Sequence, residues 1–131
     1  MTATVAPHAP TRSRGAEIAL WTLQVLLALM FVVGSGAPKL FGEAYAVQIF
    51  TDLGTGQWLR YVVGVLEIAG GIGLLVPRLA GLAASCLVAL MVGATVAQLF
   101  FLSEGFWYTP VILGVLLAVV AWFRGPVPAR R

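Results

Sequence analysis

The sequence of 131 residues contains one cysteine, one histidine and few charged residues. Because Cys86 stands alone, the chain cannot form an intrachain disulfide or a Cys-x-x-Cys redox centre. The only histidine, His8, lies in a polar N-terminal segment, which argues against a histidine metal site and a His-activated nucleophile. The sequence therefore predicts no metal ligand and no complete catalytic constellation.

Charged residues make up only 10% of the chain, whereas soluble domains have about a quarter. Hydrophobic residues make up 60%, and the mean hydropathy is +0.98. The eight basic residues are scattered at the ends of apolar segments and form no stripe with interleaved aromatic residues, so we expect no nucleic-acid partner. This composition predicts an integral membrane protein whose main partner is the lipid bilayer.

Four apolar segments approach the roughly 20 residues that a helix needs to cross a bilayer. They are residues 16–36, 58–76, 79–102 and 106–123. The predicted fold is an all-α bundle of four transmembrane helices. The predicted organisation is a disordered cytoplasmic tail at 1–15, a transmembrane domain at 16–123 and a basic cytoplasmic tail at 124–131.

The basic residues indicate an orientation, because cytoplasmic connections are enriched in lysine and arginine. In the four-span arrangement only Lys39 and Arg60 fall on one side of the membrane. The other six fall on the opposite side: Arg12, Arg14, Arg78, Arg124, Arg130 and Arg131. We therefore expect a multi-pass protein with both termini in the cytoplasm.

The connection between the first two spans is long enough to contain a helix of its own. Its apolar residues follow helical spacing at Ala46, Ile49, Phe50 and Leu53, and Gly54 then provides a C-terminal stop. We predict a short interfacial amphipathic helix here. It could lie on the membrane surface or fold back as a gate over a pocket.

Small residues recur every four positions along the third span, which predicts a close helix contact in lipid. The helix-packing residues are Gly81, Ser85, Ala89, Gly93 and Ala97. The stripe alone does not say whether the partner helix is internal or belongs to a second copy of the chain in a homo-oligomer.

Glu67 is the strongest candidate for a functional residue, because it lies near the middle of the second span. A carboxylate facing lipid at that depth costs about 2.5 kcal/mol or more, so we expect it to face the bundle interior. Helical rise places Thr95 and Gln98 in the same outer-half layer, with Lys39 and Arg60 above them at the mouth. Thr109 could complete the lining.

Three interpretations of this polar cluster remain open. It could be a buried ionic and hydrogen-bonded network that fixes the bundle. It could be a ligand-binding pocket formed by Lys39, Arg60, Glu67, Thr95 and Gln98, with Glu67 as the catalytic acid–base residue if turnover occurs. It could also take part in proton-coupled transport, which a single four-helix copy could hardly support without oligomerising.

Two segments of the sequence resemble the signature of the DoxX-like family. They are RYVVGVLEIAGG at residues 60–71 and GLLVPRLAGLAA at residues 73–84, and Pro38-Lys39-Leu40 also fits. The resemblance covers about residues 20–123 and implies a small four-helix protein of the bacterial inner (plasma) membrane. It maps family positions onto Lys39, Arg60 and Glu67. Many members have a histidine where Gln98 stands, which argues against a His-assisted step here.

The resemblance also implies a link to membrane redox assemblies, because the family name comes from a subunit associated with thiosulfate:quinone oxidoreduction. The predicted function is binding of a small hydrophobic or quinone-like molecule at an outward-facing polar site, as an accessory subunit of a membrane redox system. The wider group includes receptor-assembly chaperones. The alternative is therefore a non-catalytic assembly or stability factor for another membrane protein.

Overall fold

The computed structural model describes residues 13–101 and 108–125, and within those ranges it contains helices and no strand. There are five helices, which we label α1 (Arg14–Phe41), α2 (Ala44–Leu53), α3 (Trp58–Leu74), α4 (Ala80–Phe100) and α5 (Tyr108–Arg124). The all-α prediction is confirmed for this part of the chain. Most of both predicted tails and the connection at 102–107 lie outside the described residues.

Two of these helices, α1 and α4, are long and apolar enough to cross a membrane. In the most apolar 18-residue window of each, only 28% and 33% of the residues are buried. The core helix of a soluble protein would be mostly buried, so these exposed apolar faces fit contact with lipid better than contact with water. Helix α5 is a shorter apolar helix of 17 residues.

Helix α1 continues beyond residue 36, where the first span was predicted to end. Its segment Met30–Gly36 is π-helical, and the α-helical segment Ala37–Phe41 follows without a break. Pro38 has no N–H to donate, and in a regular α-helix its ring would clash with the Gly34 carbonyl group. The wider π turn just before Pro38 accommodates the proline, so the helix continues instead of ending.

Helix α2 is the predicted amphipathic helix of the first connection. The Glu43 side chain accepts a hydrogen bond from the Ala46 N–H at 3.2 Å and so caps the N-terminus. Gly54 ends the helix in the left-handed conformation with φ of 73°. Because Ala46 and Phe50 are buried, the apolar face of α2 packs onto the bundle.

The four longer helices form a ring in which α1 packs against α3, α3 against α4, α4 against α5, and α5 against α1. Glycines allow the closest approaches. At the contact between α1 and α3, a Cβ atom on Gly36 would lie 3.0 Å from the Gly64 carbonyl oxygen. Where α4 meets the end of α5, a Cβ atom on Gly81 would lie 1.4 Å from the Gly125 carbonyl oxygen.

A polar clasp joins three helices at the end of the bundle where α1 begins. Gln24 is fully buried, donates to the Leu74 carbonyl oxygen at 2.7 Å and accepts from Arg124 Nε at 2.7 Å. Arg124 Nη2 also lies 2.8 Å from a Glu17 carboxylate oxygen. The clasp links α1, α3 and α5, and it is separate from the layer that contains Glu67.

Candidate functional site

A buried ion pair joins α1 and α3 in the half of the bundle next to α2. Lys39 Nζ lies 2.7 Å from Glu67 Oε1, and Glu67 is only 2% exposed. The Ser35 hydroxyl donates to Glu67 Oε2 at 2.8 Å and accepts from Lys39 Nζ at 2.7 Å. The three side chains form a closed, electrically neutral cluster, so neither charge is left uncompensated in the interior.

The local sequence explains how Lys39 reaches Glu67. Lys39 follows Ser35 by four residues, so its long side chain can fold back along α1 toward the Ser35 hydroxyl group. The close contact of α1 and α3 at Gly36 and Gly64 brings both backbones near enough for the ammonium group to meet the carboxylate. Glycine pairing therefore positions the ion pair.

Arg60 is buried, but it does not join this cluster. Its Nε donates to Gln57 Oε1 at 2.8 Å, and its Nη1 donates to the Lys39 carbonyl oxygen. The Lys39 carbonyl group lies in the last turn of α1, where a cation also interacts favourably with the helix dipole. Arg60 therefore ties the start of α3 to the end of α1, instead of standing at the mouth of a pocket as predicted.

Two cavities meet at the ion pair. The first, of about 670 Å³, lies between α1, α2, α4 and α5, and the second, of about 350 Å³, lies between α2, α3 and α4. Both volumes fall in the range of small-molecule sites. Six residues line both cavities: Lys39, Ile49, Glu67, Met91, Ala94 and Gln98. The cavities are therefore neighbours that share a polar centre, and α2 covers both.

Gln98 and Thr109 lie beside Glu67, as predicted from the sequence, since Gln98 lines both cavities and Thr109 lines the first. Gln98 Oε1 is buried and accepts no hydrogen bond from the described part of the protein. Thr95 differs, because its hydroxyl group donates to the Met91 carbonyl oxygen at 2.8 Å within α4. The structure thus brings Lys39, Glu67, Gln98 and Thr109 to one site and leaves Arg60 and Thr95 out of its lining.

The small-residue stripe of α4 has two different environments. Gly81 packs against Gly125, whereas a Cβ atom on Gly93 would have nothing within 4 Å. Ala89 and Gly93 are exposed, and together with Ala97 they line the second cavity. The part of the stripe formed by Ala89, Gly93 and Ala97 thus borders a cavity, whereas Gly81 lies in a tight helix contact.

Sequence reasoning missed Ser35, which bonds both members of the ion pair. The available signal was its position four residues before Lys39, which puts both side chains on one helix face. Within residues 13–101 and 108–125, no group of three or more histidine, cysteine, aspartate or glutamate residues could hold a metal ion. The cluster itself supplies hydrogen-bond donors and acceptors and one ion pair.

The chain was compared with protein-family models, curated proteins and solved structures. The model of the DoxX-like family matches residues 22–120, which include Lys39, Glu67 and Gln98. Neither a curated protein nor a solved structure matches the chain. Together with the two helices that are apolar enough to cross a bilayer, the family match indicates a membrane protein. The chain belongs to the DoxX-like family.

Proposed function

We propose that this DoxX-like protein binds a small hydrophobic or quinone-like molecule beside the Lys39–Glu67 ion pair. The observation that carries the proposal is a cavity of about 670 Å³ whose lining includes the Lys39–Glu67 ion pair and Gln98 Oε1, a buried atom that has no hydrogen-bond partner among the described residues. Apolar walls with a few convergent polar groups are typical of small-molecule sites. The proposed role is that of an accessory subunit in a membrane redox system.

The proposal includes a four-span topology in which α1, α3, α4 and α5 cross the bacterial inner membrane with both termini in the cytoplasm. The excess of basic residues at one side of such a bundle supports it. Helix α3 carries two charged residues, but Arg60 is 5% exposed and Glu67 is 2% exposed. Because both are turned away from the surface, α3 can cross lipid without exposing a charge to it.

The polar groups define how the head of a ligand would be held. Gln98 can accept a hydrogen bond from a hydroxyl group at Oε1 and can donate one to a carbonyl oxygen from Nε2. These are the groups that a quinol and a quinone present. Glu67 is the candidate acid–base residue, because its carboxylate group can exchange a proton at the cavity wall.

The test is purification in mild detergent followed by mass spectrometry of the co-purified lipids and quinones. We expect one small molecule to be enriched over bulk lipid with the wild-type protein and lost with Gln98→Leu. The Gln24→Leu variant is the matched control, because it removes a buried glutamine at the opposite end of the bundle. Equal retention by both variants, or no enrichment in wild type, would contradict the proposal.

A second candidate function is that of an assembly or stability factor for another membrane protein. The exposed Ala89 and the open space around Gly93 favour it, since small residues permit a partner helix to approach. Under this function Gly93→Leu should abolish co-purification of a partner protein. Unchanged recovery of the partner would exclude α4 as its contact.

A further inference from the structure

We infer that the ligand is a neutral amphiphile with one long apolar chain, and that this chain lies in a groove between α3 and α4. The inference rests on the proposed function. That function places the polar head group of the ligand beside Gln98, and the inference assigns the position of the ligand's apolar chain. We call this surface the chain groove. It consists of the second cavity and a third cavity, of about 550 Å³, that continues along the same two helices.

The two cavities of the chain groove are continuous in their lining, because Ala89 and Leu90 border both. The third cavity has apolar and small residues along its length and reaches Cys86 on α4. Helical rise puts Cys86 roughly 18 Å from Gln98 along the axis of α4. The groove thus has a polar end at Gln98 and Glu67 and a long apolar end that carries no charge.

Small residues on α4 keep the chain groove open, and they are Ala89, Gly93 and Ala97. Gly70 and Gly73 line the groove on α3 at close helix contacts, because a Cβ atom would lie 2.7 Å from Leu87 Cδ2 at Gly70 and 2.8 Å from Ala83 Cβ at Gly73. A Cβ atom on Gly93 would meet no atom within 4 Å, so nothing in the described structure fills this space. Cavity volumes of about 350 and 550 Å³ suit a hydrocarbon chain better than a helix, which is about 10 Å or more across with its side chains. A helix could not follow the groove down to the nearly inaccessible Glu67.

The polar end selects a neutral head group. Lys39 and Glu67 already compensate each other at 2.7 Å, so a charged head would leave a buried charge unpaired. No described residue donates to the buried Gln98 Oε1, and a hydroxyl group on the ligand would supply a donor. The class of ligand that fits both ends is a long-chain alcohol, phenol or isoprenoid quinol.

The lone cysteine provides a reporter for the far end of the groove, because Cys86 is exposed and lines it. The probes are hexadecanol, which is long enough to reach Cys86 from Gln98, and octanol, which is not. The purified full-length protein is treated with N-ethylmaleimide, and the alkylation rate of Cys86 is measured with each probe. At a hexadecanol concentration about ten times Kd we expect the rate to fall roughly tenfold, because only the unliganded fraction reacts.

Head binding is measured separately as the rise in unfolding temperature that each alcohol produces. We expect both alcohols to stabilise the protein and only hexadecanol to protect Cys86. Ala89→Leu lies roughly 14 Å from Gln98 along α4, beyond the reach of octanol, so it should abolish the protection by hexadecanol and keep the stabilisation by octanol. The control, Val96→Leu, adds bulk to an exposed position of α4 outside the groove lining and should behave like wild type.

The outcomes separate this inference from the proposed function. Stabilisation by both alcohols without protection of Cys86 would overturn the chain groove and leave the head site in place. Absence of both effects would overturn the head site as well. Protection that increases with protein concentration in the absence of any alcohol would assign the groove to a second copy of the chain, and so would also overturn the inference.

Discussion

Gly36 and Gly64 face each other across α1 and α3 at a separation that leaves no room for a side chain on either. A Cβ atom on Gly36 would lie 3.0 Å from the Gly64 carbonyl oxygen, and one on Gly64 would lie 3.2 Å from the Gly36 carbonyl oxygen. Lys39 and Glu67 each follow one of these glycines by three residues. The ion pair therefore depends on a backbone contact that only glycine permits.

Gly36→Ala should weaken the bundle and its ion pair together. The added Cβ atom would also lie 2.5 Å from Ile68 Cγ1, so the two helices must separate. Overpacking of this kind costs about 1–3 kcal/mol in the free energy of unfolding. Reversible unfolding in mixed detergent measures the change, and Gly15→Ala is the control because its Cβ atom meets nothing within 4 Å. Equal stability of the two variants would contradict the importance of this contact.

Glu67→Gln should destabilise the protein more than the removal of both charges does. The single substitution leaves the half-buried Lys39 ammonium group without its counter-ion, at a cost somewhat below the about 3–5 kcal/mol in unfolding free energy that a fully buried pair shows. The double variant Lys39→Met/Glu67→Met removes both charges and should recover most of this stability. The single variants Lys39→Met and Glu67→Met complete a double-mutant cycle with this double variant, and the cycle measures the coupling.

The same variants separate a structural role of the ion pair from a binding role. If the pair serves the ligand, the double variant should be folded and abundant in membranes but should retain no co-purified small molecule. A stable double variant that keeps its ligand would show that the ion pair is not required for binding.

Gln24, which is buried, and Gln98, which is partly buried, should respond in opposite ways to replacement by leucine. Gln24→Leu removes the acceptor of Arg124 Nε and the donor to the Leu74 carbonyl group, so we expect a loss of about 1–3 kcal/mol in stability. Gln98→Leu removes an amide oxygen that has no donor in the described structure, so stability should be kept while ligand retention falls. Thermal unfolding and mass spectrometry of the bound molecule measure the two effects. A stability loss in Gln98→Leu equal to that in Gln24→Leu would argue for a structural Gln98.

Gly81→Ala should disrupt the contact between the start of α4 and the end of α5. Its Cβ atom would lie 1.4 Å from the Gly125 carbonyl oxygen, and Gly125 itself has a φ of 81°, which side chains disfavour. We expect a large fall in the unfolding temperature and in the amount of protein in membranes. Gly114→Ala is the matched control, because its nearest neighbour is Met91 Cβ at an ordinary 3.4 Å. Similar behaviour of the two variants would contradict the packing.

Much of the fold could be predicted from the sequence, because apolar run length and turn residues are local signals. The positions of α3, α4 and α5 and the end of α2 at Gly54 follow from such signals. The continuation of α1 could not, since Gly34-Ser35-Gly36 before Pro38 normally indicates the end of a helix. The π-helical segment that accommodates Pro38 depends on packing against α3, which the sequence does not show.

The composition of the site could be predicted only in part. The burial of Glu67 follows from the cost of a charge in lipid, and helical rise places Gln98 near the same depth. Depth does not determine which groups meet. Lys39 reaches Glu67 by folding back along α1, whereas Arg60 is held by Gln57 and a backbone carbonyl group. Such a choice between two cations depends on side-chain conformations and on a glycine contact between helices.

The π-helical segment of α1 has a consequence for the direction in which the residues after it face. Each residue of an α-helix advances by about 100°, so the extra residue in a wide turn rotates the following segment by about that angle. Lys39 is the third residue after the segment Met30–Gly36. If this segment relaxed into regular α-helix, the lysine would swing away from α3 and leave the carboxylate of Glu67 without its cation. The wide turn thus determines the direction in which Lys39 points from α1. That direction allows Lys39 to neutralise the charge of Glu67 inside the bundle.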